Sequence, residues 1–193
     1  MKHSNAKKYC YIGLNPILDS FKSLNNNIKG YRENDLTFVI TTTSYESLNE
    51  DKKQMESYFK EIHGPLERIF KKPETAINKN TPTASKQLVL TLNLQPDPEL
   101  RKEYIDIHKP DAIWPEIINN MNTMGVLNME LYLQEYRVFM IMEVKDTFDI
   151  YADSERWGKL PREKEWQDYV SKFQRIDKNN DTFEKWQIMK PMF

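Results

Sequence analysis

The sequence predicts an α+β fold: a ferredoxin-like βαββαβ unit over residues 87–193, preceded by an additional N-terminal α/β segment. Three observations carry this. Gln87–Leu94 puts Leu88, Leu90, Leu92 and Leu94 on one face, the period-two pattern of a half-buried strand. Val126–Leu133 alternates as well, with Asn128, Glu130 and Tyr132 on one side and Met129, Leu131 and Leu133 on the other. Tyr136–Val144 is apolar from Val138 to Met142, as a strand covered on both faces would be.

The remaining elements follow in order. Pro96–His108 reads as a helix, with Asp97 as N-cap and Pro98 at the first helical position. Asp111 is placed to cap a second helix running to Met124, with Pro115 tolerated in its first turn and Gly125 ending it. Helical patterns span Phe148–Leu160 and Arg162–Phe173, and Phe183–Met192 closes as a last strand. Helices on one face leave the other sheet face bare. Its apolar content predicts a homodimer that covers it, and residues 87–193 are expected to fold and pair by themselves.

Residues 1–86 form an N-terminal extension to which no chemistry attaches. A tail precedes a strand at Tyr9–Leu14, a helix at Pro16–Asn27 and a strand at Asp35–Thr43. Asn49–Lys72 reads as one long amphipathic helix, because Met55, Tyr58, Phe59, Ile62, Leu66, Ile69 and Phe70 recur at helical spacing, with a kink or break at Gly64-Pro65. Residues 73–86 are polar and Pro-punctuated, a linker to the second domain at 87–193.

Composition narrows the function classes. A net charge of -1 over 193 residues supplies no field for nucleic acid or an anionic membrane. No apolar run approaches a membrane span, and no signal-peptide pattern opens the chain. The one cysteine, Cys10, excludes an intramolecular disulfide and a cysteine-based metal cluster, and no His or Cys pair has metal-ligand spacing. Five glycines argue against a Gly-rich phosphate loop. A soluble cytoplasmic protein without metal or cofactor is expected. The 10 Tyr, 9 Phe and 4 Trp suit a core or a pocket for a sugar-like ligand.

Tyr104–Glu116 concentrates the chemistry. Tyr104 and His108 are four apart and share a helix face, and Trp114 follows closely. A helix-end histidine is ordinarily structural, a tyrosine ordinarily core, and a Trp-Pro pair ordinarily packing. Residues 87–193, however, resemble the L-rhamnose mutarotase family. Tyr104-x-x-x-His108, Ile113-Trp114-Pro115-Glu116, Gly125 before the strand holding Tyr132, Phe139–Glu143 and Trp166 carry the resemblance.

The resemblance implies a dimeric α+β barrel and a cofactor-free isomerase that interconverts the α and β anomers of a 6-deoxy-L-hexose, L-rhamnose or L-fucose. It makes His108 the general acid and Tyr104 a sugar contact. Met129 and Trp166-Gln167 stand where the family holds sugar with an aromatic and a Trp pair. The Met129-Glu130 pair, the single late Trp and Lys185-Trp186 look more like the L-fucose branch. Glu130 and Glu143, on strands, are candidates for the partner acid or base, against the ordinary reading of solvated strand residues. Asp106 reads as an exposed helix residue. The echo of His108 at His63 reads as coincidence, and His3 as part of the tail. The rival readings are a non-catalytic sugar-binding or interaction module of the same class and an oxygenase of the antibiotic-monooxygenase barrels. Binding without accelerated anomer exchange would mark the first; the Ile-Trp-Pro-Glu match argues against the second.

Overall fold

A computed structural model describes residues 6–17, 26–74, 84–175 and 185–192. The fold is α+β with antiparallel sheets, and it divides into two compact units. Unit 1 comprises the chain up to Glu67 together with Ile188 onward; unit 2 is Arg68–Gln187. The sequence placed the boundary at 86/87. A strand from the expected extension joins the second sheet, so the compact units divide at 67/68.

In unit 1, β1 (Lys7–Pro16), β2 (Ile28–Glu33), β3 (Leu36–Thr43) and β4 (Phe59–His63) form a sheet in the order β2-β3-β1-β4, with α1 (Leu48–Glu56) between β3 and β4. A tight turn with Asn34 at φ 53° joins β2 to β3 in register, Glu33 opposite Leu36. The sequence reading missed β2, and the helix expected at Pro16–Asn27 falls largely on residues outside those described. A strand at Lys190–Pro191, β11, extends the sheet beyond β2. Tyr11, Ile28, Val39, Met55, Tyr58 and Phe59 pack as one core. Inside it, Asp51 of α1 accepts hydrogen bonds from the Thr41 hydroxyl (2.7 Å) and the Asn27 amide (2.9 Å), so its buried carboxylate is paired.

The long helix expected over Asn49–Lys72 is not formed. It ends at Glu56, and β4 and β5 (Glu67–Lys71) follow. The apolar spacing fits a helix, but the turn between the strands does not. Gly64 sits at φ 138°, and a Cβ there would meet Tyr11 Cδ1 at 2.7 Å and the Cys10 carbonyl oxygen at 2.9 Å. His63 ends a strand rather than a helix, so it does not repeat the setting of His108.

In unit 2, β6 (Ser85–Leu94), β7 (Val126–Gln134) and β8 (Arg137–Lys145) match the predicted strands, and Ser85 and Lys86 belong to β6 rather than to a linker; residues 75–83 of that linker lie outside the described chain. The sheet runs β10-β6-β8-β7-β5, with β9 (Gln174–Arg175) also on β6 and β10 at Gln187–Ile188. Among the described residues, the strand expected at Phe183–Met192 is two two-residue pieces, β10 and β11. Taking β9/β10 as the fourth strand, the order is again 4-1-3-2, with β5 beyond the second. Each sheet is therefore completed at the same edge by a strand drawn from the other half of the sequence.

Helix α2 (Pro98–Ile107) has Asp97 as N-cap, accepting from the Glu99 and Leu100 amides. Helix α3 (Pro115–Met124) starts after Trp114, not at Asp111, because Pro115 fixes the first helical turn; Gly125 at φ 83° ends it. Phe148–Leu160 is mostly turns, since the Asp149 carboxylate accepts from the Tyr151 and Ala152 amides, leaving only the short α4 (Ser154–Gly158). Helix α5 is Glu163–Ser171.

Leu90, Leu92, Leu131, Leu133, Met140 and Met142 on one sheet face join the core beneath these helices. On the opposite face Val89, Thr91, Tyr132, Phe139 and Ile141 are buried as well.

Candidate functional site

The site is a cavity of about 360 Å³ within unit 2, a volume suited to a small ligand. Leu90, Leu131, Met140 and Met142 of the sheet form its floor, and Phe70 of β5 closes one side. Helices α2 to α5, Met129 of β7, Gln174 of β9 and the loop residues Ile113, Ile150 and Trp186 supply the rest.

Helix α2 places the histidine. Tyr104 and His108 are one helical turn apart, and their rings lie 4.4 Å apart between centroids. Edge contacts with Trp166 (5.7 Å) and Phe70 (6.0 Å) fix the imidazole from two more sides. His108 Nδ1 is 2.7 Å from the Tyr104 carbonyl oxygen. A carbonyl can only accept, so Nδ1 carries the proton and Nε2 of the neutral ring holds a lone pair. Burial pushes the pKa of His108 down to about 4, partly opposed by that backbone hydrogen bond. At neutral pH the side chain is therefore an uncharged proton acceptor. Burial likewise drives the Tyr104 phenol well above its ordinary range, so it stays protonated.

A carboxylate stands in the same cavity. Glu163, only 3% exposed at the start of α5, accepts from the Asn120 amide of α3 at 2.9 Å and from the Gln167 amide at 2.9 Å. Asn120 also donates to the Pro161 carbonyl at 3.0 Å, which ties the entry of α5 to α3. Two oriented amides hold the carboxylate, and each of its oxygens keeps a second lone pair for a ligand.

His108, Tyr104, Met129, Trp166 and Gln167 all line the cavity. Glu130 and Glu143 do not. Met129 faces the cavity, so strand alternation turns its neighbour Glu130 to the other sheet face, where it pairs with Arg68 at 3.3 Å and accepts from the Tyr132 hydroxyl at 3.2 Å. Glu143 accepts from the Ser85 hydroxyl at 2.9 Å, outside the cavity. Trp114 is scaffolding: it stacks on Tyr169 at 6.1 Å, meets Trp166 edge-on at 5.4 Å and lies under the Arg162 guanidinium. Asp106 pairs with Lys109 at the surface.

Sequence reasoning missed Glu163, Trp157 and Gln174 as lining residues. For Glu163 a signal existed, since it lies three and four residues before Trp166 and Gln167 on one helix face. Among the described residues, no cluster of three or more His, Cys, Asp or Glu side chains is arranged to hold a metal.

Fold and cavity together define a small-molecule site built around a neutral histidine and an oriented carboxylate. Residues 87–193 match the family model described as L-rhamnose mutarotase, and the chain belongs to that family of sugar isomerases. An L-fucose mutarotase of Xanthomonas campestris pv. campestris is 28% identical over 100 residues, which is 52% of this chain and 80% of that protein. A UPF0734 protein of Dictyostelium discoideum is 31% identical over 91 residues, 47% of this chain and 71% of that one. Among solved structures, a monooxygenase-like protein from Listeria innocua aligns over 97% of this chain and 95% of its own, at 12% identity and a TM-score of 0.42, too loose a likeness to carry an argument.

Proposed function

We propose that the protein is a cofactor-free mutarotase that interconverts the anomers of a 6-deoxy-L-hexose, with L-fucose favoured over L-rhamnose by the similarity to an L-fucose mutarotase. The observation that carries the mechanism is the tautomer of His108. Nε2 takes the proton from the anomeric hydroxyl, the bond from the anomeric carbon to the ring oxygen breaks, and a carbonyl forms. The resulting imidazolium gives that proton to the ring oxygen. The carbonyl rotates, and the reverse steps close the ring on the other face. Both oxygens sit on the anomeric carbon, so one nitrogen serves as base and then as acid. The acid role implied by the family resemblance is thus the second half of a shuttle.

Glu163 accepts from a sugar hydroxyl, and Tyr104 and Trp166 hold the ring. Gln167 stands where the family has a second Trp and orients Glu163. Met129 and the apolar floor receive the methyl group, which a hydroxymethyl sugar would replace with a polar group lacking a partner. All lining residues lie between Phe70 and Trp186 of one chain, so a single copy is complete for this chemistry. A homodimer is not required, and a cytoplasmic setting is the one in which such a sugar is used. No helix among the described residues is long and apolar enough to cross a membrane.

Saturation-transfer NMR between the anomers of each sugar tests this reading. Faster exchange on adding protein is expected for at least one; unchanged exchange for both overturns it. The departures at Met129 and Gln167 favour one alternative, a sugar-binding module without catalysis, which saturable binding with unaccelerated exchange would identify.

A further inference from the structure

Two polar atoms buried in the site's side chains have no partner. Nε1 of Trp157 and the side-chain carbonyl oxygen of Gln174 make no hydrogen bond, and both residues line the cavity. Native proteins keep few such groups, because each one loses its hydration without replacement. Both residues are anchored by their surroundings. Trp157 on α4 is held by an edge contact with Phe148 at 6.0 Å. Gln174 is 6% exposed, pairs through β9 with Leu94, and its backbone carbonyl accepts from the Gln95 amide at 3.2 Å. The two atoms are also chemically opposite, since an indole N–H only donates and an amide carbonyl only accepts. They come from different elements than His108 on α2 and Glu163 on α5.

We propose that Trp157 and Gln174 read the ring hydroxyls of the bound sugar: the indole N–H donates to one hydroxyl oxygen, and the Gln174 carbonyl accepts from another hydroxyl. This rests on the cavity being the sugar site. A hydroxyl can both donate and accept, so a polyol satisfies both atoms, whereas an apolar ligand satisfies neither. A sugar with one of these hydroxyls inverted or removed leaves one atom unpaired, and that difference sets specificity away from the anomeric carbon.

Trp157→Phe and Gln174→Met remove the orphaned atoms and keep most of the packing. In the full chain, both variants are expected to melt at or above the wild-type temperature while binding L-fucose or L-rhamnose about tenfold or more weakly. For each variant, one monodeoxy analogue lacking the hydroxyl in question should bind as it does to the wild type. The Trp157 indole N–H resonance, identified by its loss in Trp157→Phe, should move on saturation with sugar. An unmoved resonance, unchanged affinity in both variants, or an equal loss for every analogue together with a lower melting temperature overturns the proposal. If the wild type binds neither sugar, the reading of the cavity falls and takes this pair with it. A wild type that binds alongside unaffected variants refutes the pair alone.

Discussion

In unit 1 the crossover from β1 to β2 runs only from Ile17 to Asn27. In unit 2 the matching crossover, from β6 to β7, runs from Gln95 to Gly125 and holds both α2 and α3. The second crossovers differ too: α1 alone between β3 and β4, against α4 and α5 after β8. In unit 1 the side chains pack directly on the sheet. The Phe59 ring lies so close to Gly13 that a Cβ there would be 2.5 Å from it. In unit 2 the longer crossovers stand as walls around a floor of Leu and Met side chains. One strand order thus accompanies a packed core in unit 1 and a lined cavity in unit 2. The residues proposed for the chemistry, His108 and Glu163, sit on the crossovers and not on the strands.

The largest expected effect comes from cutting the chain at the boundary the sequence suggested. A fragment of residues 87–193 loses β5, and with it the Phe70 wall, the strand paired to β7 and the Arg68 partner of buried Glu130. It should be insoluble or lack cooperative unfolding, as circular dichroism melting would show; a fragment that melts cooperatively and accelerates exchange would show β5 to be dispensable.

His108→Ala should slow anomer exchange by about 10²–10⁴-fold with the fold kept, the usual share of a general acid–base group. Phe59→Ala should do the converse. It should cost about 3–5 kcal/mol of stability while exchange per folded molecule stays unchanged, because the ring fills the core of the other unit. Glu163→Gln should slow exchange by roughly ten- to a hundredfold, the range for losing a hydrogen bond to a charged group. At the small end, Glu130→Gln should change exchange by less than about threefold, as a carboxylate on the far sheet face whose partner is surface-exposed Arg68 should. A large loss in that variant would place Glu130 in the chemistry after all.

Strands β6 to β8, helix α2 and its Asp97 cap were legible because period and capping chemistry agree there. The Tyr104–His108 pair was legible because helical spacing alone joins the two residues. Glu163 was easy to pass over: a glutamate in the first turn of a helix is normally solvated, and its spacing to Trp166 and Gln167 gains meaning only with Asn120, forty-three residues earlier, holding it inside. Glu130 could have been set aside from the alternation alone, since it cannot share a cavity with Met129. The stretch 57–71 was misread because its apolar spacing suits helix and strand alike, and only the left-handed Gly64 decides. The exchange of edge strands between the two halves has no local signal at all, for it depends on pairing between residues far apart in the chain.

The most direct test of the account is the pH dependence of catalysed anomer exchange, after subtracting the uncatalysed rate. Burial holds the folded pKa of His108 near 4, below the ordinary 6.5 of the unfolded chain, so the neutral ring persists well below pH 6.5. The same shift makes the stability it contributes fully present above 6.5 and lost as pH falls towards 4, up to about 3 kcal/mol in all. The account predicts an acid limb of kcat/KM near pH 4 to 5 that His108→Ala abolishes. A limb near 6.5, or one that survives in His108→Ala, would contradict a buried neutral histidine as the proton shuttle.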